Sequence, residues 1–425
     1  MTSIFVIFEV MTHNHRKMTH SEVYHTMHYE SLYHIYYKHN QKWETVYNQR
    51  LNSPAAKILP LSIKQYGRSH ANPAFYCYTE EIALLQDQIM AAFHNFVDIA
   101  AKLPSFAMPQ YLRASLIEEI KSTNDIEGVR STRKEIMTAL NASAPARTNY
   151  RLGSLVDKYE KAMQGERLTL NCSQDIRQLF DELMWDEISR DNPHNLPDGQ
   201  IFRKSSVDVV SASQKTVHRG IYPETEIIKH MDSALQILNE PTIPIFIRAA
   251  IFHYFFGYIH PFYDGNGRLA RFITAYFLAQ KLHPAIALQL SVLLKAQRSK
   301  YYKLFTITDA DINRGDLTPF IIGMLEFTRE AIIHTTNSLQ EKYHHYKGAK
   351  EKITLLNLPS KTTLALCDLL LQASIFAPYG ITMSELTNAL HKSENTIYTH
   401  LKKLPADILL VDRHEKTHYY KFNLN

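Results

Sequence analysis

Cysteine is nearly absent from this chain: Cys77, Cys172 and Cys367 are the three found in 425 residues. An odd, widely spaced set excludes a disulfide framework and a thiolate zinc site, and it fits a reducing compartment, so a cytoplasmic location is expected. Long apolar runs are missing too. No stretch reaches the roughly 18 apolar residues of a membrane span. Residues 4–8 are apolar, but Glu9 interrupts them, and they lack a basic flank and a small-residue cleavage site, which argues against a signal peptide. Charge of one sign is also scarce: 47 Lys and Arg against 42 Asp and Glu leave a net charge of +5, spread along the chain. That balance gives no broad nucleic-acid-binding face. His13, His15, His20, His25, His28, His34 and His39 crowd the first segment among tyrosines, but their spacing follows no single metal pattern and is read as composition. Met11 and Met18 are alternative starts to Met1. The length is enough for two or three domains with a sizeable core.

What is present is concentrated in His260-Pro261-Phe262-Tyr263-Asp264-Gly265-Asn266-Gly267-Arg268-Leu269-Ala270-Arg271. Residues 245–259 are almost entirely apolar and read as a buried helix. Pro261 cannot continue it, so the helix should end near His260 and hold that imidazole at the rim of a buried element, where it can accept a proton. Gly265-Asn266-Gly267 permits the positive-φ geometry in which successive N–H groups point into one concavity. Residues 269–279 are again apolar at helical spacing, which puts this nest at a helix N-terminus, where orphan donors and the dipole favour an anion. Arg268 and Arg271 lie three apart, within reach of one polyphosphate. Asp264 is placed to hold a Mg²⁺ that bridges phosphate oxygens. The inventory suits attack by a hydroxyl on phosphorus, with electrostatics carrying most of the catalysis.

These residues match the signature of the Fic family, His-Pro-Phe-x-Asp/Glu-Gly-Asn-Gly-Arg-x-x-Arg, at every specified position, over a resemblance covering roughly residues 85–335. The resemblance implies a protein adenylyltransferase that binds ATP and Mg²⁺, moves AMP to a Ser, Thr or Tyr hydroxyl of a target, and releases pyrophosphate. It makes His260 the general base and Asp264 the metal ligand. It assigns Asn266 and the Gly265 and Gly267 amides to the anion hole, Arg268 to the phosphates, and Arg271 to the γ-phosphate. Doc-type kinases of the same family carry lysine at the position of Gly267, which favours AMP transfer here.

Upstream, residues 112–126 alternate at helical spacing and close on Thr123-Asn124-Asp125-Ile126-Glu127-Gly128, with Gly128 as C-cap. This resembles the family's inhibitory helix, Ser/Thr-x-x-x-Glu-Gly/Asn, in which the glutamate pairs with the second motif arginine, here Arg271, and competes with the γ-phosphate for its donor fork. Residues 201–203 and 206–210 alternate like a short strand that residues 217–222 can pair with; the resemblance implies a flap that docks the target by strand addition. Tyr302 is a candidate to stack on adenine, with a core position as the alternative, and His253 is read as a hydrogen-bonded core residue.

Residues 341–360 are polar and read as a linker. Beyond them, helical patterns at 364–371, 382–386 and 393–401 precede two strand patterns at 409–411 and 418–422, an order that resembles a winged helix. Asn395, Thr396, Tyr398 and His400 would face outward, with Lys402 and Lys403 toward phosphate, so DNA and protein contact are both open. The expected fold class is therefore mainly α: a Fic-type helical core with a short β-hairpin flap, plus a small C-terminal winged helix. The boundaries are 1–84 accessory, 85–340 core with the inhibitory helix near 111–128, 341–360 linker and 361–425 winged helix. The leading function is an autoinhibited adenylyltransferase, acting on a target protein or on itself, with homodimer formation as a further expectation. The alternatives are a DNA-binding regulator with a nucleotide-sensing core, and an enzyme that mainly removes AMP.

Overall fold

The computed structural model describes residues 28–425, apart from 211–215, 355–357, 359, 406, 415, 416 and 425. His13, His15, His20 and His25, the start sites Met11 and Met18, and the apolar run 4–8 lie outside the described residues.

The chain is mainly helical with small antiparallel sheets. Helices α1 (Leu32–Lys38) and α2 (Asn40–Leu51) lead into a hairpin of β1 (Ala56–Ile63) and β2 (Asn72–Cys77). Next come α3 (Glu80–Ala100), α4 (Ala107–Glu127), α5 (Arg133–Asn141), α6 (Ala144–Arg147), α7 (Gly153–Met163) and α8 (Ser173–Asp191). A second hairpin pairs β3 (Asp208–Val210) with β4 (Thr216–Arg219). Then follow α9 (Glu224–Asn239), α10 (Ile245–Ile259), α11 (Asn266–Lys281), α12 (Pro284–Ala287), α13 (Leu290–Ala296), α14 (Arg298–Asp309) and the long α15 (Thr318–Thr354). The chain closes with α16 (Lys361–Phe376), β5 (Ile381–Thr382), α17 (Met383–Leu390), α18 (Glu394–Leu401), β6 (Leu409–His414) and β7 (Thr417–Phe422), the three strands ordered β5-β7-β6.

Helix α10 is the axis of the core. Its residues are apolar on every face, as a helix with no solvent side must be, and 12 of them are buried. It packs against α9, α11 and α15. Helix α4 is amphipathic and buries Ile117, Ile120 and Ile126 in the same cluster. It ends where expected: Gly128 adopts φ 74°, and its N–H and that of Val129 return to Asn124 and Asp125 carbonyls. Only glycine takes that left-handed cap without penalty.

Three boundary expectations are corrected. Residues 341–354 are not a linker, because α15 runs unbroken to Thr354 and buries Tyr346 and Ile353 against the C-terminal cluster. The accessory region expected over 1–84 is corrected for its described hairpin, residues 56–77, because Leu59, Leu61, Ile63 and Tyr76 belong to the main core. Residues 201–203 are not a strand: the Glu224 carboxylate accepts from the N–H groups of Gln200, Ile201 and Phe202, leaving those donors no ladder to join. The C-terminal unit also seats on α4 and α5: Ala107 of α4 lies in its core, Gln110 of α4 donates to Glu385, and Asn141 Nδ2 at the end of α5 donates to the Tyr419 hydroxyl at 2.5 Å.

The segment 29–51 is tied to the core through Asp316, which has no exposed surface. The Tyr29 hydroxyl donates to Oδ2 at 2.8 Å, Arg50 Nη1 lies 3.3 Å from the same oxygen, and Thr318 N–H donates to Oδ1 at 2.9 Å. Burial pushes this carboxyl above its ordinary range, with Arg50 opposing the rise. Removing one member of such a node strands its partners, which costs on the order of 3–5 kcal/mol. Asp316→Ala should therefore lower the thermal midpoint substantially. A loss below about 1 kcal/mol in a denaturant titration would show that the node does not hold this segment.

Candidate active site

The site is built at the break between α10 and α11. His260 caps α10 at φ 53°, ψ 60°, a left-handed conformation that is uncommon for a residue with a side chain. Its carbonyl is turned sideways as a result and accepts from Arg203 Nε at 2.9 Å. Phe262, with no exposed surface, anchors the following loop by stacking on Phe180 at 3.9 Å. Asn266 then folds the loop on itself: Phe262 N–H donates to Oδ1 at 3.0 Å, and Nδ2 donates to Phe262 O at 2.8 Å. The Asn266 side chain is thus a brace of the loop, and of this residue the N–H remains for an anion. Gly265 takes φ 82° as N-cap, so α11 starts at Asn266 and its first-turn N–H groups have no intrahelical partner.

His260 Nδ1–H donates to the Gly257 carbonyl at 3.3 Å. A carbonyl only accepts, so this contact fixes the proton on Nδ1 and leaves the Nε2 lone pair available. Burial, and then the neighbouring His218, push this imidazole down to about 4. It is therefore neutral, and able to take a proton, throughout the physiological range. Burial likewise pushes His253 down to about 3. Its Nδ1 and Nε2 lie 2.8 Å from Thr274 Oγ1 and from the Tyr301 hydroxyl, a filled core position as the sequence suggests.

Both motif arginines are buried, at 1% exposure each, but they turn to different helices. Arg268 Nη1 meets both Glu187 oxygens on α8 at 2.8 Å, and its Nε has no partner among the described residues. Arg271 turns to α4: Nε donates to Thr123 Oγ1 at 2.8 Å, Nη2 to Thr123 O at 3.0 Å, and Nη2 lies 2.8 Å from Glu127 Oε1. Burial would raise the Glu127 carboxyl, but the charge and hydrogen bond of Arg271 outweigh it and hold the group below its ordinary range. Gly267 makes this fit, since a Cβ there would overlap Glu127 Oε1. Asp264 stays partly open, accepts from the Gly265 N–H at 2.5 Å, and borders a cleft of about 350 Å³ with Arg130, Arg151 and Asp191. The Asp264 carboxylate could hold a Mg²⁺ shared with phosphate oxygens, with the neighbouring helix-start N–H groups facing the phosphate rather than the ion.

Of the two readings of Tyr302 the core one falls away, and His400 is placed differently from expectation. The tyrosine of the core is Tyr301, whereas Tyr302 is 42% exposed with Arg298 over its ring, at the surface of α14. His400 does not face outward, because its Nδ1 meets Thr363 Oγ1 at 2.9 Å, turning the ring toward α16. Sequence reasoning also passed over Glu119, which is fully buried on α4 and accepts from Ser291 N and Oγ at the start of α13; burial raises its carboxyl to about 7. A lone charged residue on an apolar helical face was the available signal.

Residues 169–278, from just before α8 to most of α11, match the model of the Fic/DOC family. The chain carries a Fic/DOC domain. Curated relatives named "Protein adenylyltransferase Fic" from Drosophila virilis and Drosophila melanogaster are 34% identical over 84 residues, 20% of this chain, so the match spans 16% and 15% of their lengths. Solved structures of a Fic family protein from Desulfovibrio desulfuricans G20 and of Fic-1 from C. elegans are similar at 19% and 20% identity. The first match has a TM-score of 0.46 and covers 79% of this chain and 95% of the other; the second has a TM-score of 0.42 and covers 61% and 74%. Glu127 and Thr123 lie outside the Fic/DOC match, so their connection to the domain rests on geometry. Among the described residues no helix is long and apolar enough to cross a membrane.

Because the fold holds His253 and His260 neutral where unfolded imidazole is protonated, stability should fall as pH drops from 6.5 toward 4. An NMR titration of imidazole nitrogens should show His260 as the Nδ1–H tautomer and neutral down to about pH 5. Protonation with a midpoint near 6.5 would contradict the burial argument.

Proposed function

We infer that this chain is a protein adenylyltransferase that transfers AMP from ATP to a Ser, Thr or Tyr hydroxyl of a target protein, itself included, and is held back by Glu127. The observation that carries the reading is the pairing of a tautomer-fixed, neutral His260 with a helix start whose Arg271 is taken by a carboxylate. The target hydroxyl attacks the α-phosphorus while His260 Nε2 takes its proton; a new P–O bond forms, the bond from the α-phosphorus to the bridging oxygen breaks, and pyrophosphate leaves. The N–H groups at Asn266 and Gly267 face the charge that develops on phosphate oxygens, and Arg268 lies one turn along. Asp264 would hold Mg²⁺, which supplies positive charge to the phosphates.

The brake follows from competition. Glu127 with Thr123 occupies the Nε and Nη2 edge of Arg271, so a γ-phosphate can take that edge only if Glu127 withdraws. The Gly267 position also bears on substrate class. A lysine there, as in Doc-type kinases, would require the Glu127 carboxylate to shift from its present position on Arg271, so this arrangement favours AMP transfer over phosphate transfer.

In this reading residues 85–340 are the catalytic core, and residues 361–425 are a winged-helix module for a macromolecular partner. Asn395, Tyr398, Lys402 and Lys403 are exposed along α18 and its end, while the inward turn of His400 and the acidic start at Glu394 weigh toward a protein partner over DNA. A cytoplasmic location and a homodimer belong to the same reading.

The test uses purified wild type, Glu127→Gly and Glu127→Gly/His260→Ala with ATP labelled at the α-phosphate and Mg²⁺. Glu127→Gly should label protein at least about 10-fold faster than wild type, since freeing one bidentate phosphate contact is worth 1.4 kcal/mol or more. The double variant should lose the label. Label from the γ-phosphate instead of the α-phosphate, or none from either, would refute AMP transfer.

A further inference from the structure

Arg203 is one of the largest side chains in the protein with no exposed surface, and its charge has no carboxylate partner among the described residues. A buried guanidinium without a counter-ion is an expensive choice, and an apolar residue would fill the space at lower cost. What an apolar residue cannot do is hold three carbonyls at once in one plane. Nε donates to His260 O at 2.9 Å, Nη1 to Ser205 O at 2.6 Å, and Nη2 to Ile221 O at 2.8 Å. Its own N–H donates to Pro261 O at 3.3 Å.

These acceptors come from three places that matter together. Ser205 leads into β3, Ile221 follows β4, and His260 is the residue in the left-handed conformation at the end of α10. Around the staple, Ile221 N–H donates to Ile259 O at 3.1 Å, and Ser205 N–H donates to the Tyr263 hydroxyl at 3.0 Å. Gly220 makes room, because a Cβ there would overlap Arg203 Nη2 and lie 3.0 Å from His260 Cβ. A left-handed non-glycine residue costs about 1–3 kcal/mol and persists only where its surroundings over-determine it. Here the captured carbonyl is that determinant.

We propose that Arg203 is the positioning residue of the reaction: its guanidinium staples both ends of the β3–β4 hairpin to the His260 carbonyl, fixing the base relative to the strand edge that presents the target hydroxyl. This rests on the reading of His260 as the base. Arg203 touches neither ATP nor the hydroxyl, so its loss acts on the geometry of proton removal and not on nucleotide binding. A misplacement of the order of 1 Å at a reacting group lowers rates about 100-fold.

The experiment places Arg203→Lys and Arg203→Ala in the Glu127→Gly protein and follows self-labelling from α-labelled ATP. Lysine keeps the charge but cannot span three carbonyls, and it guards against a misfolded alanine variant. Both variants should lose about 100-fold in rate at saturating ATP while the half-saturating ATP concentration stays within about 2-fold, and millimolar guanidinium should restore part of the alanine variant's rate. A rate within 2-fold of the parent, or ATP affinity falling in step with rate, overturns the proposal. Absence of label in the Glu127→Gly parent itself would instead refute the transferase reading. The staple is then judged by amide hydrogen exchange at Gly220 and Ile221, expected to quicken at least about 10-fold in Arg203→Lys and overturned by unchanged protection.

Discussion

The guanidinium of Arg271 is the group around which this structure is arranged. It is buried at 1% exposure on the first turn of α11, and a buried charge needs an acceptor on every donor it can present. The acceptors come from α4, as Thr123 Oγ1, Thr123 O and Glu127 Oε1. Alongside the buried Ile117, Ile120 and Ile126, the contacts that hold α4 on the core therefore include those that occupy Arg271. In the proposed reading, inhibition is not an added lid but draws on contacts that also hold a core helix in place. The grip is reinforced one face along, where Glu119 takes both donors of Ser291.

The second constraint is the abrupt reversal between α10 and α11. A largely apolar helix, with Arg248 and His253 its only charged or titratable side chains apart from tyrosine, ends here at the site, and Pro261 with a left-handed His260 achieves the reversal within one residue. The Nδ1 contact to Gly257 and the carbonyl contact to Arg203 fix the imidazole from its two ends, ring and backbone. The Asn266 brace and the Phe262–Phe180 stack then hold the loop so that the N–H groups of α11 remain directed outward. Rigidity here is electrostatic as much as steric, since fixed donors need not reorganise when charge develops.

Where chemistry and local periodicity coincide, the sequence was readable. The bounds of α10, the start of α11 at the nest, and the Gly128 cap all follow from residues adjacent in the chain. What escaped depends on contacts distant in sequence. Residues 341–354 are polar enough to read as a linker, yet Tyr346 and Ile353 find a hydrophobic partner supplied by α16. Residues 201–203 alternate like a strand, but the Glu224 carboxylate takes the N–H groups of Ile201 and Phe202, and Pro261 O takes that of Arg203. Tyr301 and Tyr302 cannot be ranked by type, because one residue of helical rotation decides which ring is buried. Arg203 gave no motif signal at all: its role is visible only once three carbonyls from separate segments surround it.

Glycine at 267 and glutamate at 127 look like two independent marks in the sequence, one bearing on which group is transferred and one on regulation. The geometry makes them a single mark. Glu127 Oε1 lies in the space a Cβ at position 267 would take, so a larger residue there would require the carboxylate to shift from the position in which it meets Arg271. The dependence runs in one direction. Glycine at 267 is compatible with a free Arg271, whereas the contact of Glu127 with Arg271 in this arrangement uses the space that glycine leaves. The contact is therefore informative about the shape of the site, while glycine alone would have left the proposed regulation open.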